Sequence, residues 1–190
     1  MCLTDAPYYG VDGQSYLLDV HADTGYATQL ATWQGSPVPL DVVAVLDPSQ
    51  GVLYAVLADE AADAEYIIGW NASSGELLSQ VSVPATSDIL NAVWEPRSAR
   101  VLGTLDDRKL QRRDFSALDL SRGTSKVISE ALNNFTTVYS IVSAAPELGA
   151  VFMSAYKGKG VNLVGVSAGR GAIVYDKPEG SLCTSLVYLP

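Results

Sequence analysis

Five residues, GVSAG from Gly165 to Gly169, match the G-x-S-x-G pattern in which a serine at the top of a strand acts as a nucleophile. That chemistry needs a strand-to-helix elbow beneath Ser167 and a histidine base further along the chain. Here the stretch runs on into GAIVYD, a strand-like run, and the single histidine, His21, lies far upstream. The segment therefore reads as a hairpin turn, and no catalytic residue is assigned. His21 sits between Asp19 and Asp23, so a carboxylate-oriented imidazole is conceivable, but one histidine without converging ligands makes no zinc site. The DVHADTG stretch also lacks the ligand spacing of a calcium loop, so no metal and no cofactor are expected.

Binding chemistry is better represented. DDRKLQRR, Asp106 to Arg113, is the densest charge cluster, and KGKG, Lys157 to Gly160, falls at the equivalent turn one repeat later. Mixed signs make the first a largely self-neutralising turn; together, Arg108, Lys109, Lys157 and Lys159 mark the best candidate rim for a partner. Trp33, beside the polar loop QGSP, is a candidate exposed contact for a protein or glycan, whereas Trp70 and Trp94 are expected to pack within strands. Asn71 (NAS) and Asn134 (NFT) satisfy the N-glycosylation pattern. Cys2 and Cys183 either pair, restricting the unfolded chain by about 4–5 kcal/mol on the entropy model, or remain separate thiols. Sequons and terminal cysteines tilt the expected address toward a secreted, extracellular one.

Twelve basic residues against 21 acidic ones leave a formal charge of -9, which repels nucleic-acid phosphates and anionic lipid at long range. No apolar run approaches the roughly 18 residues of a membrane-spanning helix, and MCLTDAPYYG does not resemble a signal peptide. Neither a nucleic-acid partner nor membrane insertion is expected.

These residues must be positioned by strands. Three segments align: DVVAVLDPSQGVLYAVLAD, NAVWEPRSARVLGTLDD and YSIVSAAPELGAVFMSAYK, each a strand, a proline turn at Pro48, Pro96 or Pro146, and a second strand. Between them recurs a strand, a small polar turn ending in glycine and another strand, with Gly25, Gly75, Gly123 and Gly169 as markers. Two landmarks sharing a period of about 48 residues indicate an all-β propeller with four-stranded blades, A to D from the centre outward. The expected boundaries are 40–83, 89–130 and 138–176, with a further blade from 8–33 completed by 183–190. In that last blade Tyr8 onward supplies strand B, and SLVYLP supplies strand A and closes the ring. LADEAADAEY, Leu57 to Tyr66, reads as a long loop with a helical turn.

In blade length and in its glycine hairpins the chain resembles β-propellers of the quinoprotein-like and WD-repeat-like kind. The tryptophan-docking motifs of the first and the GH and WD dipeptides of the second are absent, and a hemopexin-like four-blade architecture is matched only in outline. The length of the chain fits one domain, and closure by a terminal strand allows a monomer or half of an eight-bladed swapped dimer, with a truncated larger propeller as a further alternative. The function expected is that of a noncatalytic binding or assembly module recognising a protein or glycan through one loop-rich face. The alternatives are a lactonase-like or hydrolase propeller with carboxylates or metal at the channel, and a structural subunit of a larger complex.

Overall fold

The computed structural model describes residues 2–5, 14–21, 23–34, 43–59, 64–83, 87–107 and 109–179. Their fifteen strands form four antiparallel sheets in sequence order. The first contains β1 (Cys2–Asp5), β2 (Gln14–Val20) and β3 (Ala27–Gln34). β4 (Val43–Asp47), β5 (Val52–Asp59), β6 (Ala64–Asn71) and β7 (Leu77–Ser82) make the second. The third holds β8 (Ser87–Glu95), β9 (Arg100–Asp107), β10 (Arg112–Asp119) and β11 (Thr124–Ser129). β12 (Thr137–Ala145), β13 (Ala150–Lys157), β14 (Gly160–Ser167) and β15 (Ile173–Glu179) complete the fourth. Each is a simple meander, so every strand pairs with its neighbours in sequence.

Proline turns join the first two strands of the last three sheets, as the spacing predicts. Before each proline stands a buried residue: Asp47, Glu95 and Ala145. The two acids close their turns like caps. Asp47 Oδ1 accepts from the Ser49 amide at 2.9 Å and the Ser49 hydroxyl at 2.7 Å, while its Oδ2 accepts from Gln50 Nε2 at 2.9 Å. Glu95 accepts from the amides of Arg97 and Ser98 at 3.0 and 2.9 Å and from the Ser98 hydroxyl. Where Ala145 offers no carboxylate, Pro146–Leu148 winds into a 3-10 turn instead. All three turns end in a left-handed residue, Gly51, Ala99 or Gly149.

The glycine hairpins also form, with one correction. Gly25, Gly75 and Gly123 take positive φ, but in the fourth hairpin the left-handed residue is Gly171, not Gly169. Gly171 lies five places after the last β14–β15 bridge residue on its own strand, Val166, as Gly75 does after Trp70. Its amide donates to Ser167 O at 2.8 Å, as the Gly25 and Gly75 amides do to His21 O and Asn71 O. Two further expectations fail. The neighbour of β2 begins earlier than expected: Cys2–Asp5 pairs with β2 in the place expected for Tyr8 onward, which lies outside the described residues. LADEAADAEY is mostly strand too, because Asp59 pairs with Ala64 and leaves only 60–63 between β5 and β6. Alternating Leu57, Tyr66 and Ile68 have a buried face to fill, and that outweighs the weak helix preference of alanine.

Met1–Val83 and Pro84–Pro190 are two compact units. In the first, Leu53, Ala55, Leu57, Ile68 and Trp70 of the second sheet pack with Leu30 and Ala31 of β3. In the second, Leu102 and Phe115 of the third sheet meet Val151, Met153, Ala155, Val164 and Val166 of the fourth. Side chains of this size contribute about 1.5–3 kcal/mol each when fully buried, so each pair of sheets holds together through its own core.

The units repeat one design. In the second sheet Gly69 lies opposite Tyr54, and a Cβ there would come within 3.0 Å of the ring; in the fourth, Gly165 lies opposite Phe152 at 2.8 Å by the same measure. Between the last two strands of these sheets bulges leave Leu78 and Val174 unpaired, one residue after the first pair of β7 and β15, while between the last two strands of the first and third sheets they leave Leu30 and Ile128. The sheets therefore alternate in kind, and the structural period is two sheets.

Candidate binding rim

In the second unit, the hairpin joining β9 to β10, the turn joining β11 to β12 and the hairpin joining β13 to β14 are linked to one another. A 3-10 turn, Ala131–Asn134, lies in the middle. Asn133 Oδ1 accepts from the Arg113 amide at 2.6 Å, and Arg113 Nη1 donates to Phe135 O at 3.0 Å. On the other side the Thr136 amide donates to Tyr156 O at 2.8 Å, and Lys157 Nζ stands 5.6 Å from the centre of the Phe135 ring. Phe135 is buried, so its apolar body seats the turn while its backbone and ring receive a cation from each hairpin.

Charges beneath the rim are paired. Arg112 bonds Asp114 and Glu130, at 2.8 and 2.9 Å, and these acids raise its already high pKa through the Asp114 hydrogen bond first. Arg113 approaches Asp106 at 3.6 Å. Lys157 donates to Asp176 Oδ2 at 2.6 Å, and Asn162 Nδ2 donates to the other oxygen. The Lys157 and Asn162 hydrogen bonds, against a smaller burial effect, hold the Asp176 carboxyl below its ordinary range. Solvent screens such pairs near the surface, so their effect is to fix geometry.

What projects from this frame is Lys109, Leu110 and Lys159, all exposed, with Leu110 57% accessible. Of the residues expected at the rim, Lys109, Lys157 and Lys159 lie on these two hairpins, and Arg108 falls outside the described residues. Lys157 is held by Asp176 rather than free. Trp33 lies on β3 opposite Ser15, in the other unit. Asn134 is exposed on the central turn of the rim. Asn71 ends β6, where its Oδ1 accepts from the amides of Ser73 and Ser74 at 2.9 and 3.0 Å and so shapes the hairpin. Cys2 is in β1, paired with Leu18, and Cys183 lies outside the described residues.

Ser167 of the G-x-S-x-G stretch ends a strand and begins a hairpin, its amide donating to Ala172 O at 2.8 Å. His21, Asn71 and Ser167 hold the same place in three hairpins, and each amide bonds the residue five ahead at 2.8 or 2.9 Å. Gly165 in the motif is the glycine beneath Phe152. Among the described residues no group of three His, Cys, Asp or Glu side chains is arranged to hold a metal.

The Arg112–Asp114 pair and the Asp176 anchor were not singled out from sequence. Arg112 and Asp114 are two apart in a strand, hence on one face, and that spacing was a usable signal. Asp176 meets Lys157 only through the fold of two hairpins, which local spacing does not show.

No family model matches the chain, and no curated protein matches it. Its fold is similar to that of solved structures at low identity. A structure of the nidogen–laminin complex aligns with a TM-score of 0.59 and 11% identity over 92% of this chain and 62% of that one. The Dos1 propeller aligns at 0.52 and 10%, over 89% and 42%, and the SapL1 lectin in complex with α-methyl fucoside at 0.51 and 13%, over 90% and 56%. The meandering antiparallel sheets and these likenesses define a β-propeller fold. The chain spans from 42% to 62% of the length of these three.

Proposed function

We propose that the chain is a noncatalytic binding or assembly module that recognises a protein or glycan through the rim of its second unit. The observation that carries this reading is the rim itself: exposed Lys109, Leu110 and Lys159 stand on hairpins whose backbone and underlying ion pairs are fixed by Phe135, Arg113 and Asp176. Rigid support beneath variable exposed side chains is what a recognition surface requires. Lectin and laminin-complex structures with the same fold are compatible with either class of partner. Arg108 belongs to this rim by position, Trp33 is a separate contact, and Asn134 is a glycan acceptor at its centre.

The four sheets are, in this reading, the blades of one propeller. Among the described residues the first sheet has three strands where the others have four, and the missing place is beside β1. Residues 183–190 fill it in the proposed arrangement; a second copy or another part of a longer chain is the competing donor.

A glycan array and a panel of extracellular proteins, probed with the purified chain and with Lys109→Glu/Lys159→Glu, test the function. Binding by the parent that the double variant loses supports it. Melting in added calcium or zinc supplies the opposing arm: a large metal-dependent rise points to a metal-bearing enzyme and overturns the reading.

A further inference from the structure

Every lysine and arginine of the chain lies at or after Arg97, whereas eleven of the 21 acids precede Val83. The first unit therefore contains carboxylates and no opposing cation of its own. That division bears on β7, one of its edge strands. β7 ends its sheet among the described residues, with β6 on one side only. Its sequence, LLSQVS, has neither charge nor proline, and Leu77 and Leu78 are 52% and 49% exposed. The corresponding edges of the second unit are guarded: β11 carries Lys126, and β15 carries Asp176, Lys177 and Pro178. Edge strands without such devices are templates for another strand, because their outward amides and carbonyls lack partners in the sheet.

We propose that the open edge of β7 receives an extended, lysine- or arginine-bearing segment of a partner protein as an added strand. Main-chain hydrogen bonds supply the attachment, and Leu77 and Leu78 supply apolar contact. Charge selects the partner. Exposed Glu76 stands immediately before β7, in a unit with eleven acids and no lysine or arginine. A second copy of β7 would set one unit without lysine or arginine against another, which disfavours self-pairing. The bulge at Leu78 twists the strand near the hairpin and leaves Ser79–Ser82 as the regular stretch for pairing.

The test uses the whole chain and two synthetic peptides, one alternating lysine with valine and one alternating glutamate with valine. The lysine peptide is expected to bind and to slow hydrogen exchange at Ser79–Ser82, with affinity falling steeply in added salt. The glutamate peptide is expected not to bind. Gln80→Lys, which installs at an exposed position the guard that β11 and β15 possess, should weaken binding about tenfold, equivalent to 1.4 kcal/mol. Lys109→Glu/Lys159→Glu should leave it unchanged, so failure here and failure of the rim are distinguishable. Absence of lysine-peptide binding, protection confined to other strands, equal binding of both peptides, or β7-dependent self-association instead would each overturn the proposal.

Discussion

Gly171 sits against the side chain of Ser129, so closely that a Cβ on the glycine would overlap it and lie 3.1 Å from Ile128 Cγ2. Gly75 makes the same approach to Leu30, where a Cβ would stand 2.6 Å from the carbonyl carbon. In both units, then, a left-handed hairpin glycine of the later sheet is pressed on the outer strand of the earlier one. Gly25 has the same backbone conformation, at φ 66°, and open space around it. Alanine should therefore cost Gly25 about 1–2 kcal/mol for conformation alone. Gly75→Ala and Gly171→Ala add a steric penalty of about 1–3 kcal/mol. Denaturant unfolding of the three variants measures the difference, and equal losses would contradict the close approach.

Ala99 takes φ 49° at an exposed turn position where the sister turns carry Gly51 and Gly149. Ala99→Gly should relieve strain and raise stability by up to about 1 kcal/mol, the gain being reduced by the greater freedom of glycine in the unfolded chain. A shift in the denaturation midpoint without a change in slope is the expected signature.

Acidification should act through Glu95 and Asp176. Burial pushes the Glu95 carboxyl up, but the Ser98 hydroxyl, the amides of Arg97 and Ser98 and the charge of Arg100 together outweigh it and hold it low. Asp176 is held low by Lys157 and Asn162. A group depressed in the folded state contributes stability that is complete above its unfolded value and disappears as pH falls through its folded one. Stability should thus decline from about pH 5 downward, and the gap between the parent and Glu95→Gln should narrow across that range. A gap that persists at the acid end would exclude this linkage.

Lys109→Glu/Lys159→Glu removes exposed side chains with no packing role and should change unfolding free energy by no more than about 0.5 kcal/mol. Arg113→Ala should cost more, since it takes away the donor to Phe135 O and the partner of Asp106. Comparing their melting curves separates the surface of the rim from its frame.

Removing residues 183–190 tests the proposed fourth strand of the first sheet. Loss of exchange protection along β1, with the rest of the chain still folded, is the expected result. A solution mass near the 20.1 kDa of one chain accompanies closure within the chain, and about twice that value accompanies exchange between two copies.

The all-β character and the turn positions were legible because proline and glycine mark turns by their own backbone limits, as at Pro48 and Gly75. Strand limits were less so: Cys2–Asp5 and Leu57–Asp59 gain their conformation from partners distant in sequence, and alternation that short is weak evidence. The doubled period was hidden for a different reason. Tyr54 over Gly69 and Phe152 over Gly165 are cross-strand relations, visible only once register is known. The rim hairpins could be placed from their charges, but the seat that Phe135 provides and the Asp176 anchor depend on how three loops meet.

The crowding of all basic residues beyond Glu95 has a practical corollary. Residues 1–96 contain no cleavage point for trypsin, so a peptide map recovers them within one large fragment, and they offer no lysine to amine-directed labels. Footprinting of β7 therefore calls for carboxylate chemistry or a protease of other specificity.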